Sequence, residues 1–61
     1  MKVTVWFDDI SIDKAFIVDK VDKMGNSETL QVFEDFISAI NWGRAFAKEQ
    51  KINFEDLTQK W

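Results

Sequence analysis

The chain changes its hydrophobic period within Val32-Phe33-Glu34-Asp35-Phe36-Ile37-Ser38-Ala39-Ile40. Apolar residues up to Phe33 predict a strand over about residues 28–34, and those after it recur at helical spacing over residues 36–50. Asp35 lies between the two patterns and suits an N-cap, because its carboxylate can accept hydrogen bonds from the free N–H groups of a first helical turn. The stretch therefore predicts a strand that passes directly into one long helix.

Two further strands are predicted before this junction. Apolar residues occupy every second position from Val3 to Phe7 within residues 2–8, which is the strand period. Residues 15–22 are rich in aromatic and β-branched side chains. Met24-Gly25-Asn26-Ser27 predicts a turn, because Gly and Asn tolerate positive φ. The prediction is an α+β fold in which a three-stranded antiparallel meander packs against one helix, in the order β-β-β-α.

The residues after the helix allow two interpretations. Asn53 could cap a short helical turn in which Phe54, Leu57 and Trp61 share a face. Alternatively, Ile52 and Phe54 could begin a fourth strand. We favour the helical turn. Because no Pro, repeat or low-complexity tract marks a linker, residues 1–61 are predicted to form a single domain.

Composition favours a binding protein over an enzyme. The 61 residues contain no His, Cys or Tyr but six Phe and three Trp. The common bases, nucleophiles and transition-metal ligands are therefore scarce, whereas aromatic anchors for protein contacts are plentiful. We expect a non-catalytic protein-binding module without a cofactor. The N-terminus lacks a signal-peptide pattern and no apolar run approaches the roughly 20 residues of a membrane span, so a soluble cytoplasmic protein is expected.

Charge is uneven along the chain, with a net value of −3. Residues 1–35 hold eight acids and four bases, whereas residues 36–61 hold three acids and four bases. An acidic first half disfavours nucleic acid as a direct partner, because phosphate contacts need clustered Lys and Arg. It permits a basic protein partner, and an alternative is an acidic mimic of nucleic acid that blocks a nucleic-acid-binding enzyme.

One helix can cover only one face of the predicted sheet. The covered face is predicted to carry Val3, Val5, Phe7, Leu30 and Val32. Trp6 and Phe33 then point to the other face, because successive strand residues alternate. The middle strand has apolar residues at both odd and even positions. Either Ile17 and Val21 or Phe16 and Val18 must therefore also lie on the face away from the helix.

An uncovered apolar patch of this kind indicates a partner site or a homodimer interface. The alternative is that the C-terminal tail folds beneath the sheet, where Trp61 or Phe54 would cover the patch.

The candidate partner-binding residues are three aromatic anchors and an acidic rim. The anchors are Trp6, Phe33 and Trp42; the rim is Asp8, Asp9 and Asp13. Aromatic anchors carry most interface energy, and rim charges mainly set rate and specificity. Trp42 lies at the edge of the helix's apolar arc, where a boundary core residue and an anchor look the same.

The acidic segment does not predict a metal site. Asp9-x-Ser11-x-Asp13 resembles the opening of a calcium loop, but the sixth position is Lys14 instead of Gly. The twelfth is Lys20 instead of Glu, so two cations would lie inside the site.

Small residues recur on the helix at Ala39, Gly43 and Ala47. A Gly inside a helix costs about 1 kcal/mol relative to Ala, so Gly43 needs a packing reason. Close contact between helix and sheet is favoured over a helix–helix dimer.

The junction from Val32 to Ile40 resembles an arrangement that recurs in small ββα accessory proteins of bacteria and phages. There a strand ends in an aromatic residue, an N-cap follows, and an Ala packs the first helical turn. The resemblance implies a sheet-plus-helix fold and no activity. Short, acidic, aromatic-rich chains are also similar to early phage proteins that bind host proteins, which implies a modulator or inhibitor of a partner protein.

Overall fold

A computed structural model of the protein describes residues 1–10, 12 and 14–58. The elements in chain order are β1 (Lys2–Asp8), β2 (Ala15–Val21), β3 (Ser27–Phe33), α1 (Phe36–Gln50) and β4 (Asn53–Asp56). Three antiparallel strands and one long helix on one face of the sheet confirm the predicted α+β fold. The fourth strand enlarges the sheet to the order β3-β2-β1-β4.

The favoured helical turn after α1 is wrong, and the alternative of a fourth strand is confirmed. β4 pairs in parallel with β1, from Lys2↔Asn53 to Val5↔Asp56. The N–H of Leu57 donates to the carbonyl of Val5 at 2.8 Å, which continues this ladder. A single helical turn is marginal in water, whereas β1 offers an edge of unpaired backbone groups. Pairing with that edge therefore outweighs the local cap pattern.

Both ends of α1 are stabilised by local hydrogen bonds. Asp35 is the N-cap as predicted, and its Oδ2 accepts a bond from the Ser38 N–H at 2.8 Å. At the other end Lys51 adopts the left-handed conformation with φ 57°. The following N–H, from Ile52, donates to the Ala47 carbonyl at 3.0 Å, so the chain leaves the helix in a Schellman-type turn towards β4.

The core lies between α1 and one face of the sheet. Its buried residues are Val3, Val5, Val18, Ala39, Ile40 and Ala47. Gly43 is also buried, and a β-carbon there would stand 2.9 Å from Cε1 of Phe54. The predicted close contact between helix and sheet is therefore confirmed.

The predicted faces are correct for β1 and partly wrong for β3. Val3 and Val5 are fully buried beneath the helix, and Phe7 joins them on that face, with its ring centroid 4.8 Å from Phe16. Phe33, predicted on the uncovered face, pairs with Phe16 and packs against the core. Val32, predicted on the covered face, pairs with Ile17 on the other side.

The error in β3 has a physical cause. Within residues 30–33, Leu30 and Val32 are apolar at one parity and Phe33 is apolar at the other. A shift of one residue moves every side chain to the opposite face. A bulge also interrupts the pairing, since Val18 is opposite Gln31 while Asp19 is opposite Thr29. Leu30 is the extra residue. It is half-buried and does not belong to the core on which it was predicted to lie.

Candidate functional site

The sheet face opposite α1, hereafter the open face, is built from two cross-strand rows. Trp6, Ile17 and Val32 are paired across β1, β2 and β3 and form the apolar row. The next row is polar and joins Thr4, Asp19 and Thr29. Directly paired strand residues share a face, so each row forms a continuous strip across the sheet.

The apolar row contains one of the two aromatic residues predicted there. Trp6 lies on the open face as expected and is half-buried, like Ile17. Val32 is 50% exposed. Phe33 lies on the helix side instead, with its ring centroid 6.1 Å from that of Trp42. The other side chains of the apolar row are therefore aliphatic. Of the two pairs predicted as alternatives for this face of the middle strand, the one that contains Ile17 lies here.

The polar row contains a buried carboxylate. Asp19 is 8% exposed, and its Oδ2 accepts a hydrogen bond from Nε1 of Trp6 at 2.8 Å. Its Oδ1 is buried and has no hydrogen-bond partner among the residues that the structure describes. Buried polar groups are normally satisfied, because an unmade hydrogen bond to a charged group is costly. The lone oxygen therefore marks Asp19 as an unusual residue of the open face.

Sequence reasoning did not single out Asp19, which was one of eight acids in the first half of the chain. Its position in the alternating pattern of β2 is the sequence signal that could have identified it. Asp19 lies between Ile17 and Val21 on one face of β2, so an apolar neighbour stands on each side of it along the strand.

Charges on the open face are predominantly acidic. The strand residues of this face include the acids Asp8, Asp19 and Glu55 and the base Lys2. Nζ of Lys2 lies 2.8 Å from Oε2 of Glu55, which joins β1 to β4 across the parallel pair. The single base among these strand residues is thus already engaged by an acid, and the face presents negative potential.

The predicted acidic rim is only partly described. Oδ1 of Asp8 accepts a hydrogen bond from the N–H of Ile10 at 3.2 Å, so Asp8 organises the start of the β1–β2 connection. Asp9 is exposed in that connection, and Asp13 lies outside the described residues. The side chains of Ile10 and Ile12 are 94% and 99% exposed. Asp8 is therefore the rim residue that the fold places at the end of the open face.

The third predicted anchor, Trp42, lies on the helix side of the sheet. Its ring stacks on Phe46 with centroids 5.3 Å apart and planes 10° from parallel. It packs against the core while staying half-buried, as expected of a boundary residue. Trp6, Phe33 and Trp42 therefore do not form one surface, and their roles as partner anchors stay predictions.

Within residues 1–10, 12 and 14–58, no three His, Cys, Asp or Glu side chains cluster in a way that could hold a metal ion. In the same residues, no helix is long and apolar enough to cross a membrane.

Comparison with known proteins gives no relative for this chain. No protein-family model, curated protein sequence or solved structure matches it. The geometry of the open face is therefore the basis for a proposed function.

Proposed function

We propose that this protein is a non-catalytic protein-binding module whose open face docks on a different protein. The observation that carries the proposal is the apolar row, which crosses three strands on the face that α1 does not cover. Trp6 stands in this row, and the half-exposed Val32 ends it. Aromatic and aliphatic side chains inside a polar rim are typical of protein–protein contact surfaces.

A different protein suits this face better than a second copy of the chain. A two-fold dimer would place one open face on another, and each carries three acidic strand residues against one base. Like charges brought together in this way oppose association. The outer edge of β3 is also interrupted by its bulge at Leu30, a device that discourages edge-to-edge pairing. Docking without chemistry would make the protein a modulator or inhibitor of its partner.

A pair of matched substitutions tests the proposal. Val32→Lys places a charge in the apolar row, and Ile37→Lys places the same charge on α1, where the side chain is 63% exposed. Neither side chain belongs to the core, so both variants should keep the wild-type circular dichroism spectrum. Immobilised wild-type protein and each variant are exposed to lysate, and retained proteins are identified by mass spectrometry.

We expect one stoichiometric protein to be retained by the wild type and by Ile37→Lys and to be lost on Val32→Lys. Retention that survives Val32→Lys, or the absence of any retained protein, would overturn the use of the open face. Sedimentation of the pure protein at high micromolar concentration completes the test, because a dimer that dissociates on Val32→Lys would identify a second copy as the occupant.

A further inference from the structure

We infer that the open face recognises an arginine side chain on an extended, apolar segment of its partner, and that Asp19 receives the guanidinium. The inference rests on the proposed function, since it names the chemistry of the partner that docks there. It is drawn from the lone oxygen of Asp19, the charge of the face and the position of Trp6.

Asp19 has unmet hydrogen-bonding capacity among the described residues. One carboxylate oxygen accepts a bond from Trp6 Nε1, while the other, buried oxygen has no partner in the described chain. The base on this face, Lys2, is held at 2.8 Å by Glu55. No described residue donates to that oxygen, so a donor from another molecule would complete its hydrogen bonding, and a charged donor gains most from a buried carboxylate.

The charges on the face around Asp19 favour a cationic group of the partner. Asp8 shares the face with Asp19, and Glu55 on the same face is paired with Lys2, so the strand residues of the face carry a net negative charge. Such a field attracts a cationic group and repels an anionic one, which raises the association rate for a basic segment and excludes acidic ones.

Arginine suits this place better than lysine does. Trp6 is half-buried on the surface, and its indole shields the Asp19 carboxylate through their hydrogen bond. If the indole turns aside, a guanidinium can replace its N–H and supply the missing donor as well, because its planar fork offers two parallel bonds. The freed indole then provides a flat surface for the same guanidinium. A lysine ammonium offers no such fork.

The flanking surface accounts for the apolar part of the segment. Ile17 and Val32 continue the row that starts at Trp6, and Val21 follows Asp19 on the same face. The aliphatic stem of the arginine and its apolar neighbours can cover these side chains while the charged end reaches Asp19.

A randomised peptide library, selected on the immobilised 61-residue protein, tests this inference. Selected peptides are made in two forms that differ only by citrulline in place of Arg, which keeps the shape and removes the charge. Dissociation constants are measured by fluorescence polarisation for the wild type, Asp19→Asn and Glu49→Gln. The last variant is the control, because it removes an exposed acid from the helix side.

We expect enriched peptides to contain Arg between apolar residues. Citrulline should weaken binding to the wild type and to Glu49→Gln by about tenfold or more, the value of a hydrogen bond between charged groups. On Asp19→Asn the same exchange should have little effect. In the NMR spectrum of the complex, the indole N–H signal of Trp6 should move on binding of the Arg form.

The outcomes separate the inference from the proposed function. Peptides that lose affinity on Val32→Lys but bind equally well with citrulline would overturn the arginine assignment and leave the docking face in place. Equal enrichment of Lys would overturn the choice of guanidinium. A selection that yields no peptide sensitive to Val32→Lys would overturn both.

Discussion

The ring of Phe54 on β4 lies directly against the backbone of Gly43 on α1. A β-carbon at Gly43 would stand 2.9 Å from Cε1 of Phe54 and 3.2 Å from Cγ2 of Val5. The helix can therefore approach β1 and β4 this closely because position 43 has no side chain, which is the packing reason that a buried helical Gly requires.

Substitution Gly43→Ala is expected to destabilise the protein. Overpacking costs about 1–3 kcal/mol, whereas the helix propensity of Ala returns about 1 kcal/mol, so the free energy of unfolding should fall. Urea denaturation gives the value. In a Phe54→Leu background the closest contact is removed and the 3.2 Å approach to Cγ2 of Val5 stays, so the same substitution should cost less than it does in the wild type. A Gly43→Ala variant with the same free energy of unfolding as the wild type would contradict this prediction, because it would mean that the sheet accommodates the added methyl group without loss of stability.

Substitution Lys51→Gly is expected to stabilise the helix end. Lys51 has φ 57° and ψ 44°, and a non-Gly residue in this region costs about 1–2 kcal/mol. Gly removes that cost, so the free energy of unfolding should rise by about 1 kcal/mol. The control is Lys51→Ala, which removes the charge and keeps a β-carbon. An equal gain in both variants would attribute the effect to charge instead of conformation.

Removal of the indole N–H donor at Trp6 should lower the stability of the protein by more than the loss of ring contacts alone would. Trp6→Phe keeps an aromatic side chain but leaves the buried Asp19 carboxylate without its bond from Nε1. Losing one partner of a buried polar pair costs about 1–3 kcal/mol, which thermal denaturation would detect. Trp42→Phe is the matched control, because the contacts of Trp42 with Phe33 and Phe46 are between rings. Equal losses in the two variants would contradict the importance of the bond.

Stability is expected to fall in acid through two surface carboxylates. Backbone N–H bonds, chiefly from Asn26, hold the pKa of Asp22 below its ordinary value of 3.8, and the Ser38 N–H lowers the pKa of Asp35 in the same way. A carboxylate with a lowered folded-state pKa stabilises the fold above pH 3.8, and the contribution is lost as pH falls through the folded value.

Urea midpoints measured from pH 7 to pH 2 check this expectation. At neutral pH the urea midpoint of the wild type should be higher than that of the double variant Asp22→Asn/Asp35→Asn. The difference between the two midpoints should become smaller only below pH 3.8. A difference that stays constant down to pH 2 would contradict the assignment of these two carboxylates.

Only part of the open face could be predicted from the sequence. Alternation in β1 predicts that Trp6 faces away from the helix, and the structure confirms it. Phe33 could not be placed by the same rule, because Val32 and Phe33 are both apolar and adjacent. The burial of Asp19 depends on the strands on either side of it and on the Trp6 indole, so no pattern within β2 alone reveals it.

The sequence by itself determined the local features: the strand over Lys2–Asp8, the helix over Phe36–Gln50 and its cap at Asp35. Each of these depends on groups within a few residues, as the bond from Ser38 to Asp35 illustrates. Only the tertiary structure decided that residues 53–56 extend, which face of β3 meets the helix, and where the Asp19 carboxylate is enclosed. These outcomes depend on partners distant in the chain, such as Lys2 and Glu55, which meet only after the helix has brought β4 to the edge of β1.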